Sequence, residues 1–182
     1  MWPVHTWLPR TYPGTSAAVM GLFSGLHTKV AVYMLFRIYV NIFDLEDRWN
    51  WLIIGLMLVS MIIGAFAGLA ENSIRRVLGY QMINGMPFIL VMLAFTSDDP
   101  QRALAAGLLY TLHHMVTVAA LILTSGAIEE TYATGLLSKL SGLARRDPLV
   151  ATLFAAGAFS IVGFPPFSSM WGKILIFFEI AR

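Results

Sequence analysis

Five stretches of this sequence are long and apolar enough to cross a bilayer, and two of them carry a lysine or histidine near the middle. The stretches run from Ala17 to Ile42, Trp51 to Ala70, Val77 to Phe95, Ala103 to Ile128, and from Pro148 to the chain end. A spanning helix needs roughly 20 predominantly apolar residues. In hydrocarbon every backbone N–H and C=O must be satisfied within the segment, which leaves helices as the form such stretches take. The expected fold class is therefore all-α: a polytopic transmembrane helix bundle of about five spans. Composition agrees, with 58% hydrophobic and 12% charged residues, against about 45–50% and about 25% in soluble domains.

Other function classes fall away. The formal net charge is only +2 and no Lys/Arg run is longer than two residues, so no nucleic-acid partner is expected. Cysteine is absent, which removes disulfides and thiolate chemistry. There is no Gly-rich phosphate loop, no nucleophile-elbow motif and no HExxH motif. No cofactor is expected. The first fifteen residues, MWPVHTWLPRTYPGT, lack a basic start followed by an apolar run and do not read as a signal peptide.

The polar intervals read as loops: Asp44–Asn50, Glu71–Arg76, the turn Ser97-Asp98-Asp99-Pro100, and Glu129–Asp147. If the spans alternate in direction, Arg10, Arg75, Arg76, Lys139, Arg145 and Arg146 collect on one side. Arg48, Arg102 and Arg37 collect on the other. The positive-inside rule puts the first group in the cytoplasm, and the chain in the cell membrane as a multi-pass protein surrounded by lipid.

Two spans are irregular. The third holds Gly79, Gly85 and Pro87, and the fifth holds Gly163-Phe164-Pro165-Pro166-Phe167. Paired prolines remove two donors in succession and clash with the preceding turn. Gly163, Pro165 and Pro166 therefore predict a break, with half-helices over Pro148–Val162 and Ser168–Ile180. Broken helices near the midplane are a transporter feature.

Lys29 lies almost at the centre of the first span, where a charge costs at least about 2.5–3.5 kcal/mol. At helical spacing Gly21, Gly25, Lys29, Tyr33 and Arg37 share a face, which is expected to pack inward and hold water. His27 points about 200° away and reads equally as a hydrogen-bonding neighbour or a functional group. His113 and His114 sit at the centre of the fourth span and point about 100° apart, toward different partners. His114 shares a stripe with Tyr110, Thr117, Thr124 and Ser125. Imidazole suits proton transfer because it titrates near neutrality; a core histidine bonded to a carbonyl is the plain alternative, above all for His113. A metal site is not expected, because adjacent histidines do not converge on one ion. Lys173 follows the double proline and is placed near the cavity a break opens. It reads as a relay group or as an interfacial anchor, while Glu179 reads as an end-of-helix charge.

Several strings together resemble the antiporter-like membrane subunits shared by Mrp-type sodium/proton antiporters and respiratory complex I. They are His5-Thr6-Trp7-Leu8-Pro9, Gly25–Tyr33 (GLHTKVAVY), Asn72–Tyr80 (NSIRRVLGY), Leu112–His114, Ser125-Gly126 and Gly163–Lys173 (GFPPFSSMWGK). The resemblance implies an inverted-repeat fold with broken helices and a line of buried ionisable groups at the midplane. On it, Lys29 matches the central lysine, His114 the next relay position, and Lys173 the ionisable residue of the second broken helix. His113 is a further candidate relay residue, with Tyr33 and Thr117 as supporting polar groups. Many relatives carry a lysine where this chain has Val118. The family's glutamate and its paired lysine lie upstream of this sequence, so residues 1–182 are expected to be one proton-conducting segment of a longer subunit. The implied partners are other membrane subunits of a hetero-oligomeric antiporter, with protons and Na+ or another monovalent cation as cargo. The D-type Mrp subunit is the favoured branch, which would make the chain part of a secondary transporter and not an enzyme. The alternatives are a membrane subunit of NADH–quinone oxidoreductase and a non-conducting scaffold.

Overall fold

The computed structural model describes residues 2–43, 47–96 and 99–181. The loop residue Asp44, the turn residues Ser97 and Asp98, and Arg182 lie outside them. A short helix α1 (Trp7–Thr11) and a 3-10 turn (Tyr12–Gly14) precede the first span. That span is α2 (Ala17–Leu22), a wide π-turn (Phe23–His27) and α3 (Thr28–Asn41). Then come α4 (Asn50–Leu69), α5 (Ile74–Leu90) closing in a 3-10 turn (Val91–Ala94), and α6 (Pro100–Tyr132). A short α7 (Leu143–Arg146) leads to α8 (Pro148–Val162) and α9 (Ser168–Ile180).

Four of these segments are long and apolar enough to span: Ala17–Asn41, Asp47–Leu69, Ile74–Ala94 and Pro100–Tyr132. The fifth is divided into α8 and α9, at the bounds the double proline predicts. The helix starts have local causes. Asp147 accepts from the Val150 amide at 3.2 Å with Pro148 in the first turn, and Asp99 does the same for Arg102 at 3.2 Å ahead of Pro100. A carboxylate there satisfies a donor that the helix leaves free, and proline needs no partner for an N–H it lacks.

One expectation needs correction. The loop expected from Glu129 begins later, because α6 continues to Tyr132. Its last turns are held by the Glu129 carboxylate, which takes both Arg75 Nε at 2.9 Å and Arg75 Nη2 at 2.5 Å. The third span is irregular only toward its end: Pro87 lies inside α5 close to its end, and the chain then tightens into the 3-10 turn.

Helix α6 is the hub, packed against α2, α5, α8 and α9, while α4 leans chiefly on α5. The core is divided in two. Tyr12, Met20, Leu78, Met82, Leu121, Ile122 and Ile161 form one apolar cluster, and Val32, Phe36, Ile89, Met92, Tyr110 and Ile176 belong to the other. Along the first span, α5, α6 and the broken span alike, the stretch between the two clusters carries polar residues and glycine among outward-facing apolar ones: Ser24, Gly25, Thr28 and Lys29; Asn84 and Gly85; Thr111, His113, His114 and Thr117; and Ser168, Ser169 and Lys173. The fold therefore gathers polar side chains in a layer between two apolar clusters. Outward-facing Leu22, Leu26, Ile62, Phe66, Leu112 and Val116 are exposed, as expected of surfaces that meet lipid or other membrane helices.

Candidate functional site

In the first span the wide turn sets the chemistry. The Thr28 amide donates to Phe23 O, five residues back, so it does not take the Ser24 carbonyl that an α-turn would assign to it. The Ser24 carbonyl instead accepts from the Lys29 ammonium at 2.6 Å and from the Thr28 hydroxyl at 2.9 Å. Lys29 Nζ also donates to Thr28 Oγ1 at 3.2 Å. Lys29 is 3% exposed, and among the described residues no carboxylate pairs with it. Single π-turns inside helices occur often at functional sites.

The inward face differs from the expected one. Beyond Lys29 the buried stripe is Val32, Phe36 and Tyr39, while Tyr33 is 51% exposed and Arg37 is exposed as well. At 100° per residue, the stripe from Lys29 through Val32, Phe36 and Tyr39 lies to one side of the Lys29 direction and Tyr33 to the other. Tyr33 therefore faces away from the polar layer within this chain. His27 is exposed and sits edge-on to the Phe23 ring at 5.4 Å.

At the break, Gly163 adopts φ +92°, open to glycine without strain. Its amide reaches Ser160 O at 3.2 Å, and the Phe164 amide reaches Phe159 O at 3.0 Å. This Schellman closure satisfies two of the last carbonyls of α8. The next two belong to Lys173, whose ammonium donates to Val162 O at 2.7 Å and Ile161 O at 3.2 Å. A cation at the C-terminal end of a helix also meets the negative end of its dipole. Lys173 further lies 5.3 Å from the centre of the Phe88 ring. Both lysines are thus held by main-chain carbonyls exposed where a helix is interrupted.

The two histidines part as their angular separation predicts. His113 Nδ1 lies 2.7 Å from Ser168 Oγ, at the start of α9. His114 is 0% exposed and turned inward, and among the described residues neither ring nitrogen has a hydrogen-bond partner. Its ring rests against Gly85, where an added Cβ would overlap the imidazole. Tyr110 stacks obliquely near both, at 5.9 Å from His113 and 6.0 Å from His114. His114 lies within electrostatic reach of Lys29, His113 and Lys173, and His113 within reach of Lys173. Four of the expected residues, Lys29, His113, His114 and Lys173, therefore lie on α6 or on the segments of the first and fifth spans that pack against it. Thr117 is buried one turn from His113, at 3.4 Å. Sequence reasoning missed Ser24, Thr28, Gly85 and Ser168. Among the described residues no three His, Asp or Glu side chains gather where a metal could bind.

Comparisons with known proteins agree in kind. The family described as "NADH:quinone oxidoreductase/Mrp antiporter, TM" matches residues 1–182. The D-type subunit of the Na(+)/H(+) antiporter of Alkalihalophilus pseudofirmus is 32% identical over 97% of this chain and 35% of that protein. The N-type subunit of NADH-quinone oxidoreductase from Parvibaculum lavamentivorans is 31% identical over 96% of this chain and 36% of its own length. The structure of the Mrp complex from a Dietzia species superposes with a TM-score of 0.93 at 42% identity, covering 99% of this chain and 33% of the matched one. An archaeal membrane-bound sulfane sulfur reductase matches in fold, with a TM-score of 0.92 at 22% identity over 100% of this chain and 37% of that chain. The chain spans about a third of the length of the curated relatives it matches.

Proposed function

This chain belongs to the membrane family shared by NADH:quinone oxidoreductase and Mrp antiporters, and on that premise we propose that its polar layer relays protons within a cation/proton antiporter subunit. The observation that carries the reading is His114, wholly buried, with both nitrogens unpartnered among the described residues and within electrostatic reach of Lys29, His113 and Lys173. An imidazole can accept a proton at one nitrogen and release it from the other, so it joins donors on either side. Buried ionisable groups in a membrane are costly and mark ion or proton paths by default. In this reading Lys29 and Lys173 are the terminal carriers of the segment, His114 joins them, and His113 with Ser168 and Thr117 forms the branch at the break. Small movements of either lysine away from its carbonyls toward the histidines pass the proton on, through water where the gap demands it.

The partners would be other membrane subunits, the location the cell membrane, and the exchanged ion Na+ or a similar monovalent cation. The 42% identity to a chain of the Mrp complex favours the antiporter branch. The alternative membership, in a proton-pumping NADH–quinone oxidoreductase, is supported by the Parvibaculum relative.

The test is proton-coupled sodium exchange in inverted membrane vesicles. In the full-length protein, Lys29→Ala and Lys173→Ala are each expected to abolish or severely cut exchange with the protein level on blots preserved. Lys29→Arg is expected to fail too, because a guanidinium does not release its proton. Wild-type exchange by both alanine variants would leave the scaffold reading in its place.

A further inference from the structure

We propose that the oxygen cradle holding the Lys29 ammonium, formed by the Ser24 carbonyl and the Thr28 hydroxyl, is a binding site for a small monovalent cation that occupies it in exchange for the ammonium. The inference rests on the relay reading only for its physiological sense; the binding site stands on geometry.

An ammonium and a bare alkali cation make the same demand on a buried site, several oxygens and compensation for one positive charge. Hard cations are taken by carbonyl, hydroxyl and water oxygens, and carbonyls of unwound transmembrane helix are recurrent ligands for Na+. The cradle has this composition. Ser24 O lies 2.6 Å and Thr28 Oγ1 3.2 Å from Lys29 Nζ. Ser24 is wholly buried, and its own hydroxyl donates to Gly21 O at 3.1 Å, so a second carbonyl and hydroxyl lie one turn away. The π-turn frees the Ser24 carbonyl from the Thr28 amide, so this oxygen takes the Thr28 hydroxyl on one side and keeps a second acceptor direction for a positive charge on the other. When Lys29 turns away, that second direction and the Thr28 hydroxyl oxygen are open to a cation.

The charge count points the same way. The ion pairs include Arg75 with Glu129, Arg76 with Glu71 and Arg102 with Asp99, and among the described residues no carboxylate pairs with Lys29. The cradle is thus neutral and holds one unit charge. With Lys29 protonated and in place the cradle is full. Once Lys29 has passed its proton on and swung aside, the same oxygens accept one cation, with water completing the shell. Proton and cation then exclude each other at one address.

The experiment measures equilibrium binding of radioactive sodium to the detergent-solubilised complex carrying the full-length protein, with no transport required. Lys29→Met removes the resident ammonium and is expected to bind one more sodium per complex than wild type. Adding Thr28→Val removes one cradle oxygen at nearly constant volume and is expected to weaken that extra binding at least about tenfold. No extra sodium in Lys29→Met, or extra binding that Thr28→Val leaves untouched, overturns the site. Lys29→Ala serves if the methionine variant does not assemble. If neither assembles, Thr28→Val with Lys29 kept must raise the half-saturating sodium for exchange, and an unchanged value overturns the site equally. Because binding is read without turnover, a failed cradle and a failed relay give different results: the first leaves the exchange defect of Lys29→Ala intact, and the second leaves sodium bound.

Discussion

Replacing Gly85 with alanine is the sharpest perturbation of the relay that leaves every ionisable group in place. A Cβ at this position overlaps the His114 ring, well inside the roughly 3.5–4.0 Å of ordinary contact. The ring cannot swing to the surface, since His114 has no exposed area and is enclosed by Tyr110 and its α6 neighbours. Overpacking of this kind costs about 1–3 kcal/mol, and exchanging glycine for alanine in a helix interior returns about 0.8–1.0 kcal/mol. The net loss of stability is therefore roughly 0–2 kcal/mol, small enough for the protein to accumulate. The functional cost is larger, because a misplacement of about 1 Å in a group that must hand on a proton can cost on the order of a hundredfold. Exchange in inverted vesicles is expected to fall by roughly ten- to a hundredfold at matched protein level. Gly55, on α4 with nothing near its missing Cβ, is the control: Gly55→Ala is expected to exchange as wild type and to be slightly more stable. If Gly85→Ala exchanges normally at normal abundance, the imidazole position does not matter and the relay through His114 is wrong.

Further outcomes follow from the same geometry. Arg75 and Glu129 are 17% and 19% exposed and bound through two contacts, and Arg75 also donates to Thr15 O at 2.5 Å. Removing either partner strands the other, at a cost below the about 3–5 kcal/mol of a fully buried pair because both side chains keep some solvent. Arg75→Ala is therefore expected to lower protein level and melting temperature, with Arg75→Lys rescuing only in part because lysine lacks the fork. Gly64→Ala places a Cβ 2.5 Å from the Asn84 amide and is expected to cost about 1–3 kcal/mol by forcing α4 off α5, seen as reduced thermal stability of the complex. Tyr12, outside the spans, has a buried hydroxyl without a partner among the described residues, and burial pushes its phenol above the usual 10. Tyr12→Phe is therefore expected to be neutral or stabilising by up to about 1 kcal/mol on melting. A cysteine at the exposed Ser141 is expected to react with impermeant reagent from the cytoplasmic side only, and labelling from outside alone would invert the assigned orientation.

Much of the architecture can be read in the residues themselves. Span number, the break and the half-helix bounds follow from length, hydropathy and two adjacent prolines, all of them local signals. The central position of Lys29 and the divergence of His113 and His114 also follow from counting along a helix. What stays hidden depends on contacts distant in sequence or on a local distortion without a marker. Phe23–His27 contains no proline to announce a wide turn. Four-residue spacing carried straight through α3 turns Tyr33 and Arg37 inward, whereas the packed stripe follows Val32, Phe36 and Tyr39. Gly85 reads in one dimension as helix irregularity; its partner His114 is on another helix. Arg75 and Glu129 lie 54 residues apart and look like separate loop charges until the fold joins them.

Lys29 is the middle residue of its span, His114 lies near the middle of α6, and Lys173 reaches back to carbonyls at the interruption of the fifth span. If each span crosses the bilayer, the three sit at similar depth, and a proton passed among them travels parallel to the bilayer. A charge crossing the whole membrane is worth about 2.3 kcal/mol per 100 mV, and a sideways step escapes nearly all of it. In the relay reading, voltage therefore works on the vertical legs that load and unload the layer. The traffic between lysines is left to local electrostatics, and membrane potential should alter how often the layer is filled far more than how fast its contents are shared.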